Sequence, residues 1–335
     1  MLPIGETSHY GFVAALESPD EARASVALAT RLGYDSIWAS DHIEYPLPML
    51  DPLIQLAHAS AHSRDLMFGT AVYLLPLRHP TPVAKEVATI DHVTGGRFIF
   101  GVGIGGEFPN EYEACQVPMR ERGARLTESI DVLRALWSGD RVEYSGRHYS
   151  FPEIQMTPPP TRPGGPPIWC GGRSNAALDR IGRQADGWLS YLVTPDMYAK
   201  GLERIEQAAL SANRKIEQFG SAHLIFLRID DNPQRAFDDA NAYLSKRYAM
   251  DFGRATEHYC AVGNPRQIAE QINEFHAAGV RHLILDVAGP REIWDGQLER
   301  FMREVHPLLK QDQSEVAAET ETVVEILEAA TLPSA

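Results

Sequence analysis

The sequence is poor in most features that would decide its class at once. Of its 335 residues only three are cysteines, Cys115, Cys170 and Cys260. Their number is odd and their spacing fits neither a metal site nor a disulfide framework, so a stapled secreted scaffold is excluded and a reducing cytoplasm is expected. No apolar run approaches the ~20 residues that span a bilayer, and the N-terminus MLPIGETSHY has no basic stretch leading into an apolar one. A basic run is missing too. With a net charge of −14, nucleic acid and anionic membranes are poor partners, and small molecules are the expected ones. No G-x-S-x-G turn offers a nucleophile. His58 and His62 stand four apart on a helix, but with no Glu beside the first and no third ligand they are read as packing rather than as a metal site.

What is present centres on Arg97 to Asn110, RFIFGVGIGGEFPN. The apolar run Phe98–Val102 reads as a strand buried on both faces, and the glycines after it let the backbone turn sharply and approach a ligand. Gly101, Gly103 and Gly106 satisfy G-x-G-x-x-G. That fingerprint needs a helix opening at the glycines, whereas Glu107-Phe108-Pro109-Asn110 follows and the next helical pattern begins only near Arg120. A glycine-lined loop at the C-terminal end of a barrel strand is the better reading.

Seven further short strands accompany it: Tyr10–Ala14, Ser36–Ala39, Leu66–Tyr73, Ile168–Cys170, Gly187–Ser190, His223–Ile229 and His282–Asp286. Helical patterns alternate with them, the first announced by Ser18-Pro19-Asp20-Glu21, an N-cap, a proline at the first helical position and a capping-box glutamate. Others span Pro52–Ala61, Pro82–Thr94, Ser174–Gln184, Pro195–Leu210, Pro233–Tyr248 and Pro265–Ala278. Eight buried strands joined through helices give a TIM (β/α)8 barrel. The alternation is interrupted after strand four by a stretch of about residues 103–167, with a helix from Arg120 to Trp137, a hairpin over 142–151 and a proline-rich connector. Residues 1–310 are expected to form one domain, and 311–335, acidic and alanine-rich, a peripheral helix or tail.

In such a barrel the active site lies at the C-terminal ends of the strands. Position therefore selects Asp41 and His42 after strand two, Ala71 and Val72 at the end of strand three, Gly103 to Asn110 after strand four, and Gly171 to Asn175 after strand five. His42 with Glu107 is a candidate acid/base pair, because histidine exchanges protons near neutral pH and a carboxylate can orient it. The alternative is that Asp41 caps backbone amides and His42 fills the rim. Gly171, Gly172, Arg173 and Ser174 can set backbone N–H groups, a guanidinium and a hydroxyl around a phosphate. Equally, they can form a tight strand-to-helix turn with Ser174 as N-cap.

Several ordered blocks resemble the bacterial luciferase-like monooxygenases: Tyr34-Asp35-Ser36-Ile37-Trp38 with Ser40-Asp41-His42, Gly69-Thr70-Ala71-Val72 with Leu75-Pro76-Leu77-Arg78-His79-Pro80, Gly95-Gly96-Arg97-Phe98, Pro166-Pro167-Ile168-Trp169 and Ala185-Asp186-Gly187-Trp188. The resemblance covers about residues 10–307. It implies a TIM barrel with an insertion after strand four that binds reduced FMN or the deazaflavin coenzyme F-420, and a homodimer. It further implies that His42 lies near the ring, that Ala71–Val72 is a non-prolyl cis peptide supporting it, and that Glu107 and Asn110 line the ring and ribityl side. Gly172, Arg173 and Ser174 would hold the phosphate. Three functions are compatible: a monooxygenase in which reduced FMN, delivered by a separate flavin reductase, activates O₂; an F-420-dependent dehydrogenase or reductase; and a non-catalytic flavin-binding protein. The monooxygenase is the broader expectation.

Overall fold

The computed structural model describes residues 1–310. Its strands are β1 (His9–Val13), β2 (Ser36–Ala39), β3 (Met67–Thr70), β4 (Phe98–Val102), β5 (Arg141–Ser145), β6 (Ser150–Gln155), β7 (Ile168–Gly171), β8 (Gly187–Tyr191), β9 (Gly220–Ile229), β10 (Ala261–Gly263) and β11 (His282–Val287). The helices are α1 (Pro19–Leu32), α2 (Pro52–Ser60), α3 (Pro80–Thr94), α4 (Pro109–Ala114), α5 (Arg122–Trp137), α6 (Asn175–Gln184), α7 (Pro195–Ser211), α8 (Pro233–Tyr248), α9 (Gly253–Tyr259), α10 (Pro265–Ala277) and α11 (Trp294–Arg300).

Most of the longer helices start where the sequence supplies a side-chain cap followed by proline. Ser18, Asp51, Thr194, Asn232 and Asn264 each accept a hydrogen bond from a first-turn amide, and Asn264 forms a full capping box with Gln267. Such caps satisfy donors that the helix itself leaves unpaired. The strands they connect are all parallel. They run in the order β1-β2-β3-β4-β7-β8-β9-β11, and β11 returns to β1 while β9 pairs with β8, closing an eight-stranded TIM barrel. Between β4 and β7 the chain carries α4, α5 and the antiparallel hairpin β5–β6.

The structure differs from expectation in local ways. Strand three stops at Thr70 instead of Tyr73; a cis peptide joins Ala71 and Val72, and Tyr73 rejoins the sheet only through an isolated bridge to Val102. Strand seven starts three residues early, at Gly220, and is long enough that its end, Leu227–Ile229, pairs with the unexpected β10. The short helix α4 was not legible. The proposed tail, 311–335, lies outside the described residues.

Two cores result. One fills the space between sheet and helices; the other is the barrel lumen, where Val13, Trp38, Ile99, Trp169, Leu224 and Ile284 meet. Trp38 and Trp169 stack there with centroids 5.7 Å apart. Room for them is made by omission: a Cβ at Gly69 would strike the Trp38 ring, and one at Gly187 or Gly220 would strike Trp169. At ~25 cal/mol per Å² and 150–250 Å² each, an indole so placed contributes about 4–6 kcal/mol as an upper bound.

Candidate active site

The C-terminal ends of the strands surround a cavity of about 510 Å³. Asp41, just past β2, is buried at its base. Its carboxylate accepts two hydrogen bonds from the Arg78 guanidinium, at 2.6 and 2.9 Å, and one from the Leu74 amide at 2.8 Å. Burial pushes the Asp41 carboxyl up, with Arg78 and the Leu74 amide pulling it back. Instead of capping amides of its own loop, Asp41 ties the loops after β2 and β3 together. Losing one member of such a buried pair costs about 3–5 kcal/mol.

His42 is held on three sides. Its ring stacks on Tyr45 with centroids 4.7 Å apart and planes 9° apart, and the edge of Phe108 meets it at 5.2 Å. Nδ1–H donates to Glu111 at 3.1 Å, and the same carboxylate accepts the amides of Ile43 and Glu44 at 2.5 and 3.2 Å. Glu111 is wholly buried while His42 keeps 15 % exposure, so Nε2 is the nitrogen left to face the cavity. This corrects the pairing of His42 with Glu107. Glu107 is exposed on the cavity wall, and Asn110 is exposed on the first turn of α4 and does not line the cavity. The carboxylate that reaches the histidine comes from one helical turn after Glu107, because Pro109 opens α4 and turns Glu111 and Tyr112 inward.

The middle of the floor is the cis peptide Ala71–Val72, as the resemblance implied. Ser40 Oγ donates to the Ala71 carbonyl at 3.1 Å. The Val72 side chain lies against Gly103 and Gly171, where added Cβ atoms would contact it. Residues without side chains on either side therefore let one small apolar ridge rise into the cavity.

At the far end Gly171, Gly172 and Arg173 line the wall where α6 begins. Gly172 has φ +114°, a value that side-chain-bearing residues rarely adopt, and its carbonyl accepts the Trp188 indole N–H at 2.8 Å. Arg173 is exposed; one guanidinium nitrogen donates to the Leu192 carbonyl at 2.5 Å and the group lies 5.9 Å from the Tyr259 ring centre. Ser174 caps α6 through the Ala177 amide at 3.3 Å and does not line the cavity, which is the alternative weighed for it. A glycine loop with an exposed guanidinium that no carboxylate among the described residues pairs at one end, and an apolar ridge at the centre, suits a flat ring carrying an anionic tail.

Sequence reasoning missed the wall opposite. Arg247, at the end of α8, is buried with Nη1 2.9 Å from Asp286 and Nε donating to the Tyr45 hydroxyl at 2.5 Å. Asp286 near the end of β11 could have been found by its position in the barrel; Arg247 and Tyr45, far apart in sequence, carried no local signal. His58 and His62 meet edge to face at 5.3 Å, and among the described residues no group of three His, Cys, Asp or Glu side chains could hold a metal. No described helix is long and apolar enough to cross a membrane.

The cis peptide and the glycine-and-arginine end thus stand together at the C-terminal mouth of a TIM barrel. Residues 3–282 match the family model described as luciferase-like monooxygenase, and the chain belongs to that family. An F420-dependent glucose-6-phosphate dehydrogenase of Nakamurella multipartita is 26% identical over 84% of this chain and 91% of its own. Among solved structures, an F420-dependent secondary alcohol dehydrogenase in complex with an F420-acetone adduct superimposes with TM-score 0.77 at 18% identity, covering 91% of this chain and 99% of that one. The oxygenating constituent of 3,6-diketocamphane monooxygenase from Pseudomonas putida, in complex with FMN, gives 0.71 at 18% identity over 90% and 99%. The two structures share the fold with this chain, and oxidoreductase activity is what all three relatives have in common.

Proposed function

We propose that the protein is an F-420-dependent dehydrogenase or reductase that exchanges a hydride with a small organic substrate. The observation that carries this reading is the His42–Glu111 pair: a buried carboxylate behind a histidine that lines the cavity. When bound, the cofactor would supply or take up the hydride. Gly171, Gly172 and Arg173 would hold its phosphate and Val72 its ring. His42 Nε2 takes the proton that an alcohol substrate loses, or returns it in the reverse direction, and Glu111 holds the ring in place and balances its charge. The dyad also argues against a non-catalytic flavin store, which needs no proton carrier.

The monooxygenase reading keeps one observation in its favour: Val72, Leu74, Ile104, Leu189, Leu224 and Phe226 make much of the cavity wall apolar, as water-excluding oxygen chemistry requires. It calls for reduced FMN from a separate reductase, and the deazaflavin activates O₂ poorly. The homodimer implied by the family belongs to either reading and is checked by sedimentation. Dissociation constants for reduced F-420 and reduced FMN, measured side by side with O₂ uptake, test the order. Preference for F-420 without O₂ uptake is expected; preference for FMN with O₂ uptake would reverse it.

A further inference from the structure

A second cavity, of about 440 Å³, opens beside the first, between the ends of β1, β2 and β11 and the end of α8. Ser40, Tyr45, Met49 and Arg247 line both, so the two chambers share a partition, and one face of it is the Tyr45 ring that stacks on His42. Much of the second chamber's lining is apolar, with Val13, Ala15 and Leu16 from the chain leaving β1 and Leu47, Met49 and Leu50 from the loop after β2, beside the uncharged polar Ser40, Gln55 and Tyr243.

The charges sit at its lip and leave little for an anion. Arg291 already has Asp295 at 3.1 Å and Glu21 at 4.0 Å, and lies over the Trp294 ring. Arg247, in the partition, is matched by Asp286. Among the described residues, Lys246 is then the one lip cation with no ion pair, and Glu17 and Glu292 share the lining with it. Burial first and the neighbouring Glu21 second push the Glu17 carboxyl up, with Arg291 pulling it back. An anion entering this chamber would be desolvated against apolar walls and carboxylates, whereas hydrocarbon would be favoured.

We propose that the second chamber receives the non-reacting part of the substrate, and that this part is uncharged and apolar. The substrate class is then an aliphatic or alicyclic alcohol or ketone rather than a phosphorylated sugar or a carboxylate. The hydrocarbon rests on Leu16, Leu47 and Leu50, and the oxygen-bearing carbon passes the Tyr45 partition to reach His42. The assignment builds on the hydride-transfer reading, which supplies the reaction at His42.

Calorimetric titration of the full chain without cofactor, using 2-hexanone, 2-octanone, 2-decanone, decanoate and glucose 6-phosphate, tests it. Affinity is expected to rise with chain length by up to about fourfold per methylene, with decanoate at least tenfold weaker than 2-decanone and no binding of glucose 6-phosphate. Leu50 is half exposed, so Leu50→Glu should fold, weaken 2-decanone at least fivefold and leave titration by the reduced cofactor unchanged. Glu17→Lys should narrow the gap between decanoate and decanone. A flat chain-length series, glucose 6-phosphate binding tighter than 2-decanone, or indifference to Leu50→Glu would overturn the proposal. Because the ketones are read without cofactor, failure of both F-420 and FMN to bind would remove the functional reading separately.

Discussion

His282 and His42 stand at opposite ends of one barrel and keep opposite company. His282 opens β11 at the closed end: Nε2 shares a hydrogen bond with Ser36 Oγ at 2.7 Å, and the rings of Trp38 and Trp169 meet it edge to face at 5.4 and 5.5 Å. Burial lowers its pKa to about 3. His223, inside β9, repeats the pattern with Ser190 Oγ at 2.7 Å and a stack on Phe275, and is also lowered to about 3. At the mouth, His42 has a carboxylate in place of a hydroxyl and a cavity in place of a core. The same side chain is a packing piece where an alcohol is its hydrogen-bond partner, and is placed for proton transfer, under the reading proposed above, where an acid stands behind it and space in front.

The contrast can be broken at the mouth first. His42→Ala should lower turnover about 10²-fold or more with cofactor affinity largely kept; equal turnover would make His42 a rim residue. Arg173→Ala should weaken the cofactor by about 1.5–3 kcal/mol, the value of a charge-assisted hydrogen bond, and unchanged affinity would move the phosphate elsewhere. Glu111→Gln keeps an acceptor for the Ile43 amide but removes the charge. Turnover should fall about tenfold and the pH–rate profile should shift. Glu107→Gln, on the exposed wall, should change neither by more than about twofold; a larger loss there would restore Glu107 as the partner.

The closed end responds to acid instead. His223 and His282 have folded-state values of about 3 against an ordinary 6.5, so below pH 6.5 the unfolded chain binds protons that the folded chain refuses. Stability should therefore be full above pH 6.5 and fall with pH down to about 3, by up to about 1.4 kcal/mol per pH unit for each histidine. Urea midpoints between pH 7 and 5 measure this, and His282→Asn should flatten the slope. A midpoint independent of pH would mean that the two rings are not held neutral.

Much of this architecture was legible because its signals are local. Ser18-Pro19 and Asn264-Pro265 announce helices from within a single turn, and five apolar residues such as Phe98–Val102 announce a buried strand. His42, Ala71–Val72 and Gly171–Arg173 could be placed by strand-end position and family resemblance. Glu111 could not, since α4 is too short to show a periodicity and its one cue, Pro109, suits a loop equally well. Tyr45, Arg247 and Asp286 meet only after the barrel closes, and no spacing in the chain encodes that meeting.

The stacked indoles of Trp38 and Trp169 have a consequence for traffic. They cork the lumen from below, with Ser36 and His282 as the seal, so the vessel has a single open end. Nothing passes to the Val72 ridge from beneath the indoles. Whatever rests on the Val72 ridge is approached from the side on which both chambers lie, so a plug that touches no ligand sets the direction of traffic through the barrel.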